Sequence, residues 1–184
     1  MDGFQKELIT LQKKYATLAI ENWFSVSVFT WSWWFLVFGL ILPWLIFIRY
    51  LDRNRVLHIW SFGLLVIIIT TFIDDLGSEL GLWIYPIKFI PLGLLAYPFD
   101  FSILPVAYML VYQCTNTWKT FNISLFALAI IFAFIGEPIS VRMGIVEYVN
   151  WDYIYSFVFY IFTGIIVRVI IQKWIDIQES RIVN

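Results

Sequence analysis

The chain has 184 residues, 61% of them apolar and only 14% charged, with a mean hydropathy of +0.83. Ordinary soluble domains run to about 45–50% apolar and about 25% charged, so there is too little charge here to clothe a soluble globule, while 18 Phe, 10 Trp and 10 Tyr exclude disorder. A formal net charge of −1 gives no basic field for nucleic acid, the single Cys114 no intrachain disulfide, and the single His58 no histidine-rich metal site.

In chain order, Phe4, Leu8, Leu11, Tyr15 and Leu18 recur at spacings of three and four, with Lys6, Lys13 and Lys14 on other faces. This predicts an amphipathic helix lying in the membrane interface, with a lead-in, over residues 1–28. A long Trp-rich run without a small-residue cleavage pattern follows it, so it is read as a retained segment and not as a secretory signal. A membrane span needs about 20 mostly apolar residues to cross about 30 Å of hydrocarbon. Five segments are read as spans, at 30–48, 57–73, 101–114, 121–135 and 153–169, the third being the shortest and extending to Asp100. Residues 82–97 are apolar but broken by Lys88, Pro86 and Pro91, with Pro98 following; they are expected to be an interfacial or re-entrant segment. The fold class is therefore an all-α polytopic membrane helix bundle: five transmembrane helices over 29–172, the N-terminal interfacial helix, and a cytoplasmic tail over 173–184.

Basic residues near helix ends set orientation. With the N-terminus outside, Arg49, Arg53, Arg55, Lys119, Arg168, Lys173 and Arg181 fall on the cytoplasmic side, against Lys88 and Arg142 in the outer loops. The same orientation puts Asp74, Asp75, Glu79, Asp100, Glu137, Glu147 and Asp152 outside, so four of the five spans end in a carboxylate at one surface.

Acids at that surface can simply sit in headgroup water, but what lies deeper on each helix points to a pocket. Thr70 and Thr71 stand one turn below Asp74 and Asp75. Asp152, Ser156, Tyr160 and Thr163 form a polar stripe that lipid cannot satisfy. Ala129, Ala133 and Glu137 share one ridge, whose small residues allow a neighbouring helix to come close and hold Glu137, and Pro138 ends or kinks the helix there. Tyr108 and Tyr112 lie below Asp100, with Pro105 as a kink. The candidate acids are thus Glu137, Asp75, Asp152, Asp74 and Asp100, with Thr70, Thr71, Tyr108, Tyr155, Ser156 and Tyr160 lining the pocket. Glu137 stands out as the carboxyl to hold a proton. An internal repeat is also visible: GLWIY at 81–85 and GIVEY at 144–148 each follow a helix ending in acid, assigned as Asp75 and Glu137. Two helical hairpins on the same path would form a parallel repeat, with a site between the halves.

No serine, cysteine or threonine nucleophile stands with a histidine base, and no glycine-rich phosphate loop appears, which argues against triad hydrolysis and nucleotide chemistry. Crowded carboxyls keep a proton available. Such a site suits a lipid- or isoprenoid-modifying or lipid-binding protein, in which a protonated carboxyl donates and aromatic faces such as Tyr108, Tyr155 and Tyr160 stabilise positive charge. It also suits a proton- or cation-coupled transporter, with a divalent cation at the carboxylates and no other cofactor evident. A structural membrane subunit without chemistry is the third reading. Expected partners are membrane lipid and either a second copy of the chain or another membrane protein, with neither nucleic acid nor nucleotide.

The WSWWF start of the first span, RYLDRNR, PVAYMLVYQ at 105–113, GEP at 136–138 and the Tyr148 to Phe157 string together resemble a family of small multi-helix integral membrane proteins of spore-forming Firmicutes. The resemblance spans most of the chain and implies a bacterial plasma membrane location, with no activity carried over. A weaker likeness, of pattern alone, is to membrane-embedded carotenoid and terpene cyclase domains.

Overall fold

A computed structural model describes residues 2–182. The helices are α1 (Gly3–Asn22), α2 (Trp31–Tyr50), α3 (Val56–Glu79), α4 (Leu104–Cys114), α5 (Trp118–Ile131), α6 (Glu137–Arg142) and α7 (Tyr153–Ile182). Two very short strands, β1 (Trp83–Ile84) and β2 (Glu147–Tyr148), pair antiparallel. The molecule is an all-α bundle. Among the described residues, four helical stretches are long and apolar enough to cross a membrane: Trp31–Tyr50, Arg53–Glu79, Trp118–Arg142 and Tyr153–Ser180.

The third predicted span differs. It is a shorter apolar helix, Phe99–Cys114, reaching about 24 Å at about 1.5 Å per residue. Pro98 precedes it and the chain before it is irregular, so nothing extends it to full span length.

Two clusters make the core. Phe62, Val66, Leu104, Tyr108, Phe121, Leu125, Val167 and Ile171 pack where α3, α4, α5 and α7 meet, and Phe47, Ile59, Val106 and Met109 join α2 to α3 and α4. The opposite faces are no more polar: Leu64, Ile68 and Phe72 on α3 and Ile123, Phe126 and Ile130 on α5 stand exposed. Apolar surface of that extent is a solvent mismatch in water and a match in lipid, which makes this a membrane protein.

Short hairpins gather Arg49, Arg53, Arg55 and Lys119 at one end of the bundle, where Arg55 donates to the Gln113 carbonyl and is paired with Asp52 at 3.0 Å. That guanidinium holds the Asp52 carboxyl below the ordinary aspartate range. Arg168 is an exception among the basic residues. It is 6% exposed on α7, with its guanidinium carbon 4.6 Å from the Trp118 ring and 4.2 Å from the Phe121 ring. Arg181 belongs to the same predicted basic set, but its side chain lies outside the described residues.

At the other end, residues 82–97 form no helical hairpin. They run as an irregular cap whose backbone carbonyls are covered by indoles: Trp23 Nε1 donates to the Lys88 carbonyl at 3.0 Å and Trp33 Nε1 to that of Phe89 at 3.1 Å. Each indole thereby satisfies a carbonyl that no helix pairs. Helix α1 does form, and it keeps Phe4, Leu8, Leu11, Tyr15 and Leu18 exposed; Tyr15 accepts a 3.0 Å hydrogen bond from Lys88 of the cap.

Candidate functional site

The turns after α3 and α6 are built alike. After α3, the amides of Leu80, Gly81 and Leu82 donate to the carbonyls of Leu76, Ser78 and Gly77; after α6, those of Met143, Gly144 and Ile145 donate to Ile139, Val141 and Ser140. Gly81 and Gly144 carry φ of +70° and +68°, the left-handed conformation that ends a helix and that glycine adopts without a Cβ penalty. Every pair of equivalents, Asp74 with Glu137, Gly81 with Gly144 and Tyr85 with Tyr148, is 63 positions apart. Ile84 and its equivalent Glu147 lie directly opposite each other in the ribbon, and Trp83 lies opposite Tyr148. The ribbon thus joins two equivalent turns about a local two-fold centred on the Ile84–Glu147 pair.

Each turn carries a tyrosine back to the acid of its own half. The Tyr85 hydroxyl donates to Asp74 Oδ1, which also accepts from Trp83 Nε1 at 3.1 Å. The Trp83 ring packs against Gly77, where any Cβ would overlap it. In the second half the Tyr148 and Ser156 hydroxyls face the Glu137 carboxyl, and Tyr160 from α7 donates to Glu137 Oε1 at 2.7 Å. Burial, with a carboxyl beside each, holds the Tyr85 and Tyr148 phenols well above the ordinary tyrosine range, so both stay protonated as donors at neutral pH.

Between the two halves lies a cavity of about 250 Å³. Asp74, Asp100 and Glu137 line it together with Thr70, Tyr85, Tyr148, Ser156 and Tyr160, and Phe35, Phe99, Phe132, Phe159, Trp83 and Trp151 supply the aromatic part of the remaining wall. Asp100 is 4% exposed, faces Thr70, and stands near enough to Asp74 for their charges to interact. Among the described residues, no Lys, Arg or His lines the cavity. Asp74 Oδ2 and Glu137 Oε2 are buried and have no hydrogen-bond partner among the described residues.

Two of the three π-helical turns among the described residues adjoin the cavity. Asp100 sits in a π-helical turn, Phe99–Ile103, and a second, Phe132–Gly136, runs directly into Glu137. The wider turn swings these carboxyls off the regular helical register toward the cavity, a use of π turns that recurs at functional sites. The carbonyl of Phe101 is taken up by Trp44 Nε1 at 2.9 Å.

Other predicted site residues lie elsewhere. Asp75, next to Asp74, does not line the cavity, since one residue turns the side chain about 100° around the helix. Asp152 is exposed because it precedes α7, where helical periodicity does not yet apply; its carbonyl accepts from the Tyr155 amide. Tyr155 is 51% exposed, on the outer face of α7. Thr71 is absent from the wall, and its hydroxyl is buried without a partner. Tyr108 is fully buried in the core, where its hydroxyl donates to the Tyr160 carbonyl at 2.6 Å. Among the described residues no three His, Cys, Asp or Glu side chains stand close enough together to hold a metal ion, so the cavity offers a divalent cation no such set. Tyr85, Tyr148, Trp83 and Trp151 also line the wall and are not among the predicted site residues.

No family model matches the chain, no curated protein matches it, and no solved structure does. The fold by itself defines the class: an all-α membrane protein with four span-length helices.

Proposed function

We propose that the cavity takes an apolar, lipid-like molecule that carries positive charge or acquires it on protonation, with a carboxyl as the proton donor, as in lipid or isoprenoid modification. The observation that carries this reading is the lining: three carboxyls in an otherwise aromatic and aliphatic wall, with no basic side chain to offset them. Buried charge without an offset is costly, so positive charge must come from protons or from the occupant. The wall favours an organic occupant, because ring faces stabilise a desolvated cation. With the N-terminus outside, the cavity opens toward the outer leaflet of a bacterial plasma membrane.

The test is retention and conversion of lipid. Protein purified into nanodiscs of defined lipid is incubated in D2O with a total lipid extract, and bound and released lipids are compared by mass spectrometry. Wild type is expected to retain a specific lipid and to return it deuterated or altered, and Glu137→Gln to lose the change. Lipid content and mass identical to empty nanodiscs would sink the proposal. A second reading, proton- or cation-coupled transport, draws on the paired tyrosine–carboxyl hydrogen bonds at Asp74 and Glu137. It calls for a flux in proteoliposomes, driven by a pH or cation gradient, that Glu137→Gln abolishes.

A further inference from the structure

A second cavity, of about 240 Å³, lies beside the first, between α1 and the cap, and its charge is the reverse. Its polar wall is Tyr15 and Asn22 of α1, Ser27 of the π-helical turn that follows α1, and Lys88 of the cap; among the described residues no carboxyl lines it. Lys88 has no ion-pair partner among those residues, and its ammonium donates to the Tyr15 hydroxyl alone, at 3.0 Å. Tyr85, whose hydroxyl holds Asp74, belongs to both walls. We infer that the second cavity takes the anionic phosphate head of a lipid and holds it next to the carboxyl-lined cavity that receives the apolar part. This rests on the reading that the first cavity takes a lipid-like molecule.

The donors on this wall narrow the occupant. An ammonium has three N–H donors, and with one given to Tyr15 two are left, together with a unit charge that no protein group offsets. Tyr15 accepts that bond and keeps its own O–H to give. The Asn22 amide and the Ser27 hydroxyl have no hydrogen-bond partner among the described residues, and the Ser27 oxygen, unlike that of Ser102, is not sealed from the cavity. A phosphate monoester presents three strong acceptor oxygens and up to two negative charges to such a set, where a carboxylate presents two oxygens and one charge. A zwitterionic head would bring its own cation to Lys88 with no carboxyl in the second cavity to receive it. The lysine is fixed from behind, because Trp23 Nε1 holds its carbonyl at 3.0 Å. Leu18 and Pro86 give the apolar surface for the first carbons of the lipid, and Lys88 follows Tyr85 by three positions, so a head seated there is one side chain away from the first cavity.

Native mass spectrometry of the delipidated full chain in a non-ionic detergent tests this, with phosphatidic acid, the diacylglycerol and phosphatidylcholine of the same acyl chains, the free fatty acid, and sodium phosphate as probes. Phosphatidic acid is expected to bind about tenfold or more tighter than the diacylglycerol, the scale of one charge-assisted hydrogen bond, and inorganic phosphate not to compete at equal concentration. Lys88→Gln should bring phosphatidic acid down to the diacylglycerol level and Lys88→Arg keep most of the difference, while Lys6→Gln, on α1 but outside the cavity, leaves it unchanged. Equal binding of phosphatidic acid and diacylglycerol, or an advantage that Lys6→Gln removes as fully as Lys88→Gln, would overturn the site in favour of general attraction to basic residues. Fatty acid or inorganic phosphate binding as tightly as phosphatidic acid would overturn the lipid phosphate as occupant. A preference that depends on Lys88, with no lipid altered in the D2O assay, would leave the head site standing and overturn the chemistry proposed for the first cavity; conversion of a neutral lipid that Lys88→Gln does not slow would do the opposite. The lipid comparison is read on wild type, so it decides the matter even where a variant fails to fold.

Discussion

The hydrogen bond from Tyr160 to Glu137 is the most exacting point at which to test the site, because it joins α7 to the start of α6 at 2.7 Å. Glu137 Oε2 already lacks a partner, so Tyr160→Phe leaves the carboxyl with its main donor gone and no water-filled surface to turn to. A hydrogen bond to a charged or strongly polar buried acceptor is worth about 1.5–3 kcal/mol, which puts the expected loss at about 2 kcal/mol. For a chain of this length that is a fall in Tm of about 4–8 °C. In the Glu137→Gln background the acceptor is neutral, and the same tyrosine change should cost only about 1 kcal/mol, leaving a coupling of about 1 kcal/mol. Reversible unfolding of the four proteins in one detergent, followed by tryptophan fluorescence, measures this cycle. A loss below about 0.5 kcal/mol for Tyr160→Phe, or two changes that simply add, would refute the pairing and with it the assignment of Glu137 as a gripped, inward acid.

Gly81→Ala and Gly144→Ala each force a Cβ onto a left-handed residue and should each cost about 1–2 kcal/mol in the same unfolding assay. A difference between them much above 1 kcal/mol would argue against equivalent turns. Gly77→Ala drives a Cβ into the Trp83 ring and should displace the indole from Asp74, seen as a shifted tryptophan emission and a loss of about 1–3 kcal/mol from overpacking, partly offset by the better helix propensity of alanine. Asp52, held low by Arg55, contributes stability that is present above the ordinary aspartate pKa and is lost as pH falls through its depressed value. Its carboxyl resonance should therefore titrate below an ordinary aspartate and move up toward the ordinary value in Arg55→Gln, the Asn54 amide still holding it down in part.

The helices were legible because their signal is one-dimensional: apolar runs bounded by arginines, prolines and acids. The short third span shows the limit, since hydropathy identified Phe99–Cys114 as apolar while the irregular chain and Pro98 before it decided its length. The acids were legible as a set and not as individuals. Asp74 and Asp75 each share a face with a threonine, so periodicity alone could not choose between them. The equal spacing of seven from Asp74 to Gly81 and from Glu137 to Gly144 does choose, and it was present in the sequence. Asp152 illustrates the reverse case, in which a stripe drawn at helical pitch ran one residue beyond the first helical residue, Tyr153. Tyr85 and Tyr148 could not be placed at all without knowing that the two loops pair, because only the ribbon turns them from membrane anchors into partners of the carboxyls.

That ribbon has a mechanical consequence. It ties together the far ends of the two halves, with the Val149 and Asn150 amides donating hydrogen bonds of 2.9 and 3.0 Å to the Leu82 carbonyl beyond the paired strands. Any rocking of one half against the other would have to tear this seam first, at the place where the lever arm is longest. The bundle is thereby stiffened against hinge-like alternation, and the compliant direction that is left is sideways.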